Sequence, residues 1–249
     1  MRPCSQPALA CFALALLLCV PPGAAGAEVL QRGPDALMAV CATRLPPTEI
    51  RVLTALDAPP VDNARPAAEL ALLRKQPLQP GEIVVGLTSV RQTYDFRWSY
   101  RGLKQRETGR SCLRSRIEVT LHLTQQVYVA SEFAPGSCGY DEVIAHEQRH
   151  VAANLAQFER TARFVEDSLR EQEGDAPPWL GEPDALRDAV MERARAGWMS
   201  QIETKFHEVD REHAKIDSVE ESQRYKQLCN GEMERTLREI HQRETRKGR

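Results

Sequence analysis

After its first 27 residues, the sequence contains no apolar run long enough to cross a membrane and no block of charge of one sign. The strongly apolar stretch Ala8–Val20 is shorter than the roughly 20 residues that a transmembrane helix needs. The 33 lysines and arginines are interspersed with 35 aspartates and glutamates, for a formal net charge of −2. We therefore expect no transmembrane segment in the mature chain and no nucleic-acid partner, because nucleic acid is attracted by a concentrated basic surface.

The N-terminus has the three parts of a secretory signal peptide. Arg2 precedes the apolar run, and a stretch of small residues ends at Ala25-Gly26-Ala27. We therefore predict that residues 1–27 are a signal peptide and that cleavage leaves Glu28 as the first residue. The mature protein is then exported, to the periplasm or out of the cell.

Only four of the seven cysteines remain after signal removal, and none of them belongs to a C-x-x-C pair. The absence of such a pair disfavours a structural zinc site, in which cysteine ligands are prominent. An even number of cysteines in an oxidising compartment favours disulfides. Cys112 and Cys138 bracket a strand-rich segment, so we predict one bridge between them and a second bridge between Cys41 and Cys229.

Proline divides the mature chain into three parts. Residues 28–80 are rich in proline, which limits regular elements, and could be an N-terminal arm, a pro-segment or a cap with one short helix around Ala67–Lys75. Residues 81–229 hold the strand and helix patterns of a folded domain. Residues 230–249 form a charged helical tail.

Strand patterns fill the first part of that domain. Apolar and polar residues alternate in Ile117–Leu123, as expected for a strand with one buried face. Ile83–Leu87, Tyr94–Tyr100 and Gln126–Ala130 are its expected partners, separated by turn-compatible segments. A small antiparallel sheet follows from this pattern.

Two helices are predicted after the sheet. The first runs from Asp141 to about Gly174, and its apolar stripe from Ile144 to Leu169 leaves His146 off the buried face. The second is a single long helix from Asp184 to about Leu228, ended by Asn230-Gly231.

The first helix carries the pattern H-E-x-x-H at His146, Glu147 and His150. Two histidines four residues apart project from the same side of a helix, one turn apart, so both can reach one Zn²⁺ ion. The glutamate after the first histidine can then act as a general base on a water molecule. The motif therefore indicates the active site of a zinc hydrolase.

Residues 81–228 resemble a family of bacterial exported proteins described as predicted secreted zinc-dependent proteases, a domain of unknown function. The resemblance implies a zincin-like α+β fold, a Zn²⁺ cofactor and a peptide or protein substrate. It rests on YDFRWSY (Tyr94–Tyr100), on Cys112 and Cys138, on IAHEQRH (Ile144–His150) and on VDREH (Val209–His213).

A catalytic zinc needs a third protein ligand. The position six residues after His150 is Ala156, which excludes the compact metzincin arrangement. Asp210 matches the aromatic-Asp pair of the family, although Val209 replaces the aromatic residue and the His-Gly that follows in the family is missing. His213 lies in the apolar stripe of the second helix. Either residue could be the third ligand.

The sequence thus predicts an exported zinc metallopeptidase that hydrolyses peptide bonds, with Glu147 as general base. Its expected fold class is α+β, with a small antiparallel sheet packed against the motif helix and the long second helix. Gln126–Glu132 could serve as an edge strand that holds an extended substrate. Two alternatives stay open, namely a non-catalytic envelope protein that binds a partner through its long helix, and a zinc amidase or esterase acting on cell-wall material.

Overall fold

The computed structural model describes residues 36–74, 77–78 and 81–247. The predicted signal peptide, residues 1–27, lies outside the described residues. Within the described part, no helix is long and apolar enough to cross a membrane.

One sheet packs against helices, so the α+β class is confirmed. The elements, in chain order, are α1 (Ala36–Arg44), β1 (Glu49–Leu56), β2 (Val61–Asp62), α2 (Ala67–Leu73), β3 (Gly86–Lys104), β4 (Ser111–Val129), α3 (Cys138–Leu169), β5 (Trp179–Leu180), α4 (Pro183–Ala194), α5 (Ser200–His207), α6 (Asp210–Ile216), α7 (Val219–Gln227) and α8 (Glu232–Lys247).

A hairpin of two 19-residue strands forms the centre of the sheet. β3 and β4 pair antiparallel from Gly86 opposite Val129 to Lys104 opposite Ser111. Alternate residues of β4 are buried, as the sequence pattern predicts, because successive side chains of a strand point to opposite faces. These buried residues join α3, α4 and α5 in the main hydrophobic core, which contains Ile117, Val119, Leu121, Phe158 and Trp198.

The prediction of an antiparallel sheet is wrong in one respect, because the sheet is mixed. β1 and β2 both pair parallel with β4, on the side opposite β3. They come from the proline-rich segment, where Pro46-Pro47 and Pro59-Pro60 flank β1 instead of interrupting it. The short helix expected near Ala67 is present as α2.

The predicted edge strand, Gln126–Glu132, belongs in part to the central strand β4. Because it is paired on both sides, its segment Gln126–Val129 is not an edge, contrary to the prediction. Among the described strands, β3 pairs only with β4, so β3 forms an edge of the sheet.

The motif helix α3 is 32 residues long and begins at Cys138, after Ser137, whose hydroxyl accepts a hydrogen bond from the amide of Tyr140. Its buried face differs from the predicted apolar stripe. Near the motif this face is largely polar, since Glu147, His150, Asn154, Gln157 and Thr161 are all less than 9% exposed. The expectation that the motif lies away from the buried face is therefore wrong for Glu147 and His150, whereas His146 is only partly buried.

The predicted long second helix is broken into α4, α5, α6 and α7. Gly197 has non-helical torsion angles, with φ −97° and ψ −115°, between α4 and α5. Asp217 leaves the helical region at the end of α6, with φ −90° and ψ 24°, and Ser218 then caps α7. The chain therefore folds back over α3 instead of extending away from it.

Two disulfides use the four predicted cysteines, but the predicted pairing is wrong. Cys41 bonds to Cys112, which ties α1 to β4, and Cys138 bonds to Cys229, which ties the start of α3 to the turn after α7. Cys112 and Cys138 could not pair, because the chain from Cys112 to Val129, 17 positions later, extends along β4 for roughly 55 Å.

In the charged C-terminal segment, α8 covers Glu232–Lys247 and is anchored to the rest of the fold. Met233 and Ile240 are almost fully buried in a second core with Leu70, Phe133 and Val143. The remaining surface of α8 is mostly charged and exposed.

Candidate metal centre

Three potential metal ligands meet where α3 passes the end of α6. Nε2 of His146 and Nε2 of His150 lie 3.2 Å apart. The Oδ1 atom of Asp217 is 3.1 Å from the first nitrogen and 3.0 Å from the second. The two histidines lie one helical turn apart on α3. Asp217 is the first residue after α6, and its carboxylate points to both rings.

The separations in this triangle are close to those between the ligand atoms of a tetrahedral zinc ion, and they are also ordinary hydrogen-bond distances. Zinc bonds to nitrogen and oxygen are about 2.0–2.1 Å long, and tetrahedral angles then place the ligand atoms roughly 3.3–3.4 Å apart. The observed separations of 3.0–3.2 Å are within a few tenths of an ångström of these values. Two imidazoles and one carboxylate also form a three-ligand set that suits a catalytic zinc ion and leaves the fourth position open.

The two residues predicted as third ligands have different positions. Asp210 is exposed at the start of α6, where it lies 3.5 Å from the exposed ring of His207, outside the cluster. His213 lies in the cluster, but its Nδ1 atom is 2.8 Å from Nδ1 of His150, on the side of the ring away from the other ligands.

Asp217 was not among the candidates, although the sequence contains a signal for it. It lies four residues after His213, one helical turn along the same side of α6.

A chain of hydrogen bonds orients the ring of His150. The amide of Asn154 donates to Gln125, so its oxygen accepts from Nε2 of His213 at 3.0 Å. Nδ1 of a neutral His213 is then an acceptor for Nδ1–H of His150. This arrangement leaves Nε2 of His150, the nitrogen that can bind a metal ion, directed toward the cluster. Such outer hydrogen bonds fix the tautomer of a metal-binding histidine.

Charge within the cluster is consistent with this arrangement. Burial lowers the pKa of His213, which favours its neutral form. Burial alone would raise the pKa of Asp217, but hydrogen bonds from His146 and His150 hold it below its usual value. Asp217 is therefore a carboxylate at neutral pH, as a metal ligand must be.

One contact opposes metal binding. The guanidinium of Arg149 donates to Nδ1 of His146 at 2.9 Å, which places the ring hydrogen of His146 on Nε2. Metal binding through that Nε2 requires the Arg149 contact to break. The side chain of Arg149 is 42% exposed and also forms an ion pair with Glu221, so it can move without leaving its acidic partner.

The candidate base, Glu147, is almost fully buried between α3 and the start of β3. Its Oε2 atom accepts a hydrogen bond from the hydroxyl of Thr88 at 2.7 Å. Gly86 allows this approach, since a Cβ atom there would lie 2.3 Å from Oε1 of Glu147. Burial raises the pKa of Glu147, although Thr88 and the two motif histidines act in the opposite direction. A raised pKa brings a carboxylate closer to the range of a general base at neutral pH.

The cluster has an aromatic neighbour on α7. The ring of Tyr225 meets His146 edge to face, with 5.4 Å between centroids, and its hydroxyl donates to the backbone carbonyl of Glu142. The pKa of this hydroxyl is raised by burial and by the charge of Glu147. Tyr225 therefore remains a neutral wall of the site.

A second group of potential ligands, Cys138, Cys229 and Glu232, also lies within metal-binding distance. Its two sulfur atoms are joined in a disulfide, and a disulfide cannot provide the thiolates that bind zinc. Within the described part of the chain, the cluster of His146, His150 and Asp217 is thus the better candidate.

Comparison with known proteins does not identify a relative: no family model, curated protein or solved structure matches the chain significantly.

Proposed function

We propose that the protein is a zinc-dependent hydrolase that cleaves peptide bonds. His146, His150 and Asp217 would hold the ion. The observation that carries this proposal is the triangle of two imidazole nitrogens and one carboxylate oxygen, with sides of 3.0–3.2 Å. The two disulfides agree with an exported protein, and the resemblance of the sequence to secreted zinc-dependent proteases agrees with the same reaction.

A bound zinc ion supplies Lewis acidity, which lowers the pKa of a water ligand and polarises a carbonyl group. Glu147 is the adjacent carboxylate and accepts the proton of the attacking water. Hydrolysis breaks the amide C–N bond, and the same carboxyl group returns the proton to the leaving amine. Thr88 holds the carboxylate in one orientation, because its hydroxyl donates to Oε2.

His213, Asn154 and Gln125 support the site without contacting the substrate. Their hydrogen bonds connect His150 to the buried side of β4 and keep its Nε2 lone pair directed toward the ion. His213 is therefore a positioning residue in this proposal, and Asp217 takes the role of third ligand.

The sheet favours an extended peptide as substrate. The edge strand β3 begins at Gly86, and both Gly86 and Thr88 contact Glu147. An extended chain can add to an unpaired strand edge through backbone hydrogen bonds, which recognise the peptide backbone. A peptide lying along the start of β3 would pass beside the catalytic carboxylate.

The test is the Glu147→Gln variant, assayed on a library of peptides and compared with the wild-type protein at equal zinc content. We expect zinc to remain bound near one ion per chain, because Glu147 is not a ligand. Hydrolysis should fall by roughly 10²–10⁴-fold, the usual cost of losing a general base.

Two outcomes would contradict the proposal. If Glu147→Gln cleaves peptides as fast as the wild-type protein, the general-base assignment is wrong. If neither protein binds zinc, the cluster is a hydrogen-bonded network, and a partner-binding protein becomes the better interpretation.

A further inference from the structure

A cavity of about 300 Å³ lies at the opposite end of the sheet from the metal cluster. The loop Pro46–Thr48 forms one wall, Arg101 of β3 forms another, and Arg114–Arg116 of β4 form the floor. Gln125, the residue that supports the metal cluster, lies eleven positions after Arg114 along β4. At about 3.3 Å per residue, the two sites are roughly 35 Å apart.

The cavity carries an excess of positive charge. Arg101, Arg114 and Arg116 line it, and Glu49 is the one acidic residue in its wall. Glu49 already contacts Nε of Arg116 at 2.8 Å, a terminal nitrogen of Arg51 at 2.8 Å and, more distantly, Arg101 at 3.8 Å. This one carboxylate is therefore shared among several guanidinium groups, which leaves a surplus of positive charge at the cavity.

Arg114 has the least compensated charge of the three. One of its terminal nitrogens donates to the backbone carbonyl of Ala176, but its buried Nε has no hydrogen-bond partner. Burial also lowers the pKa of this guanidinium. A buried donor without an acceptor costs stability.

We propose that this cavity binds a small ligand through a phosphate group. Arginine binds phosphate through paired N–H donors and stays charged at any physiological pH. A phosphate dianion also offsets more of this surplus than the single charge of a carboxylate. The cavity is larger than one phosphate, and the apolar rings of Pro46 and Pro47 can cover an attached organic group.

The experiment measures binding of inorganic phosphate to the full chain by calorimetry, at constant ionic strength set with chloride. We expect saturable binding that weakens about tenfold in Arg101→Gln, the scale of one hydrogen bond to a charged group. Arg101 is the appropriate variant because its side chain is 51% exposed and its ion pair with Glu49 is long, so the fold should be unaffected.

Arg97→Gln is the matched control. Arg97 is an exposed arginine of the same strand and also forms a 3.8 Å ion pair, with Glu118, but it does not line the cavity. Phosphate binding should be unchanged in this variant. Equal loss of phosphate affinity in both variants would mean that binding depends on the overall surface charge and not on the cavity, and the proposal would be wrong. Absence of saturable phosphate binding, or acetate binding as tightly as phosphate, would also overturn it.

A second experiment distinguishes the two sources of a phosphate group, a lipid headgroup and a soluble phosphate compound. The protein is sedimented with phosphatidylglycerol vesicles and with phosphatidylcholine vesicles. Retention on the first type that is lost in Arg101→Gln assigns the site to a lipid headgroup. Calorimetric binding of phosphate without retention on vesicles assigns it to a soluble phosphate compound.

Discussion

At the residue scale, Asp217 contributes most to the proposed site, because it is the only member of the ligand triangle outside the H-E-x-x-H motif. Asp217→Ala should weaken zinc binding by more than the roughly 10–100-fold that loss of an outer hydrogen-bond partner costs. Asp210→Ala is the control, since Asp210 belongs to the same helix and lies outside the cluster. Zinc affinity is measured by competition with a chromogenic chelator. Equal affinity in the two variants would remove Asp217 from the ligand set.

Arg149 has the opposite expected effect on zinc affinity. Its guanidinium places a positive charge beside His146 and holds the ring hydrogen on the nitrogen that would bind the metal. We expect Arg149→Gln to bind zinc about two- to fivefold more tightly, the scale of an exposed charge pair. Arg170→Gln is a suitable comparison, because Arg170 forms an ion pair with Glu166 at the far end of α3. Weaker zinc binding in Arg149→Gln would show that Arg149 supports the site.

At the scale of elements, the contact between β3 and α3 fixes the position of the Glu147 carboxylate, the proposed general base. In Gly86→Ala, the added methyl group would meet Oε1 of Glu147 at 2.3 Å and Cγ1 of Val143 at 2.8 Å. Either the strand or the carboxylate must move, at a cost of about 1–3 kcal/mol in the free energy of unfolding. We expect peptide hydrolysis to fall while the zinc content stays constant.

Gly174→Ala provides the control for that change, because its nearest neighbour would be Cβ of Arg170 at 3.9 Å, an ordinary contact. Melting temperature, zinc content and hydrolysis are measured for both variants. Full activity in Gly86→Ala would mean that Glu147 does not need its present position against β3.

The elements that the sequence predicted correctly depend on local patterns. Alternation in Ile117–Leu123 indicated a strand, and the spacing of the motif histidines indicated one helix that presents both. The breaks at Gly197 and Asp217 were missed because neither contains proline, and each depends on packing against α3. The third ligand was missed because Asp217 reaches the histidines through the contact of α6 with α3, which no local pattern indicates.

At the scale of the whole molecule, the disulfides act on different regions. The Cys138–Cys229 bridge encloses α3 to α7 and therefore all three proposed ligands, whereas Cys41–Cys112 ties α1 to the far end of β4. Replacing either pair by serine should lower the free energy of unfolding by about 2–5 kcal/mol. Only loss of Cys138–Cys229 should also weaken zinc binding, because α7 and the residues before it are then less constrained. Calorimetric unfolding and zinc titration of both double variants test this, and equal zinc affinities would contradict it.

The position of Asp217 relative to the motif has a consequence for the energetics of the whole fold. A zinc ion shared by His150 and Asp217 would join residues 67 positions apart, as a reversible crosslink inside the loop that the Cys138–Cys229 disulfide closes permanently. Binding to the folded state alone adds about 2.7 kcal/mol of stability when free zinc is one hundred times its dissociation constant. Unfolding and metal release would then be one thermodynamic event, and the free energy of unfolding would follow the zinc concentration of the compartment.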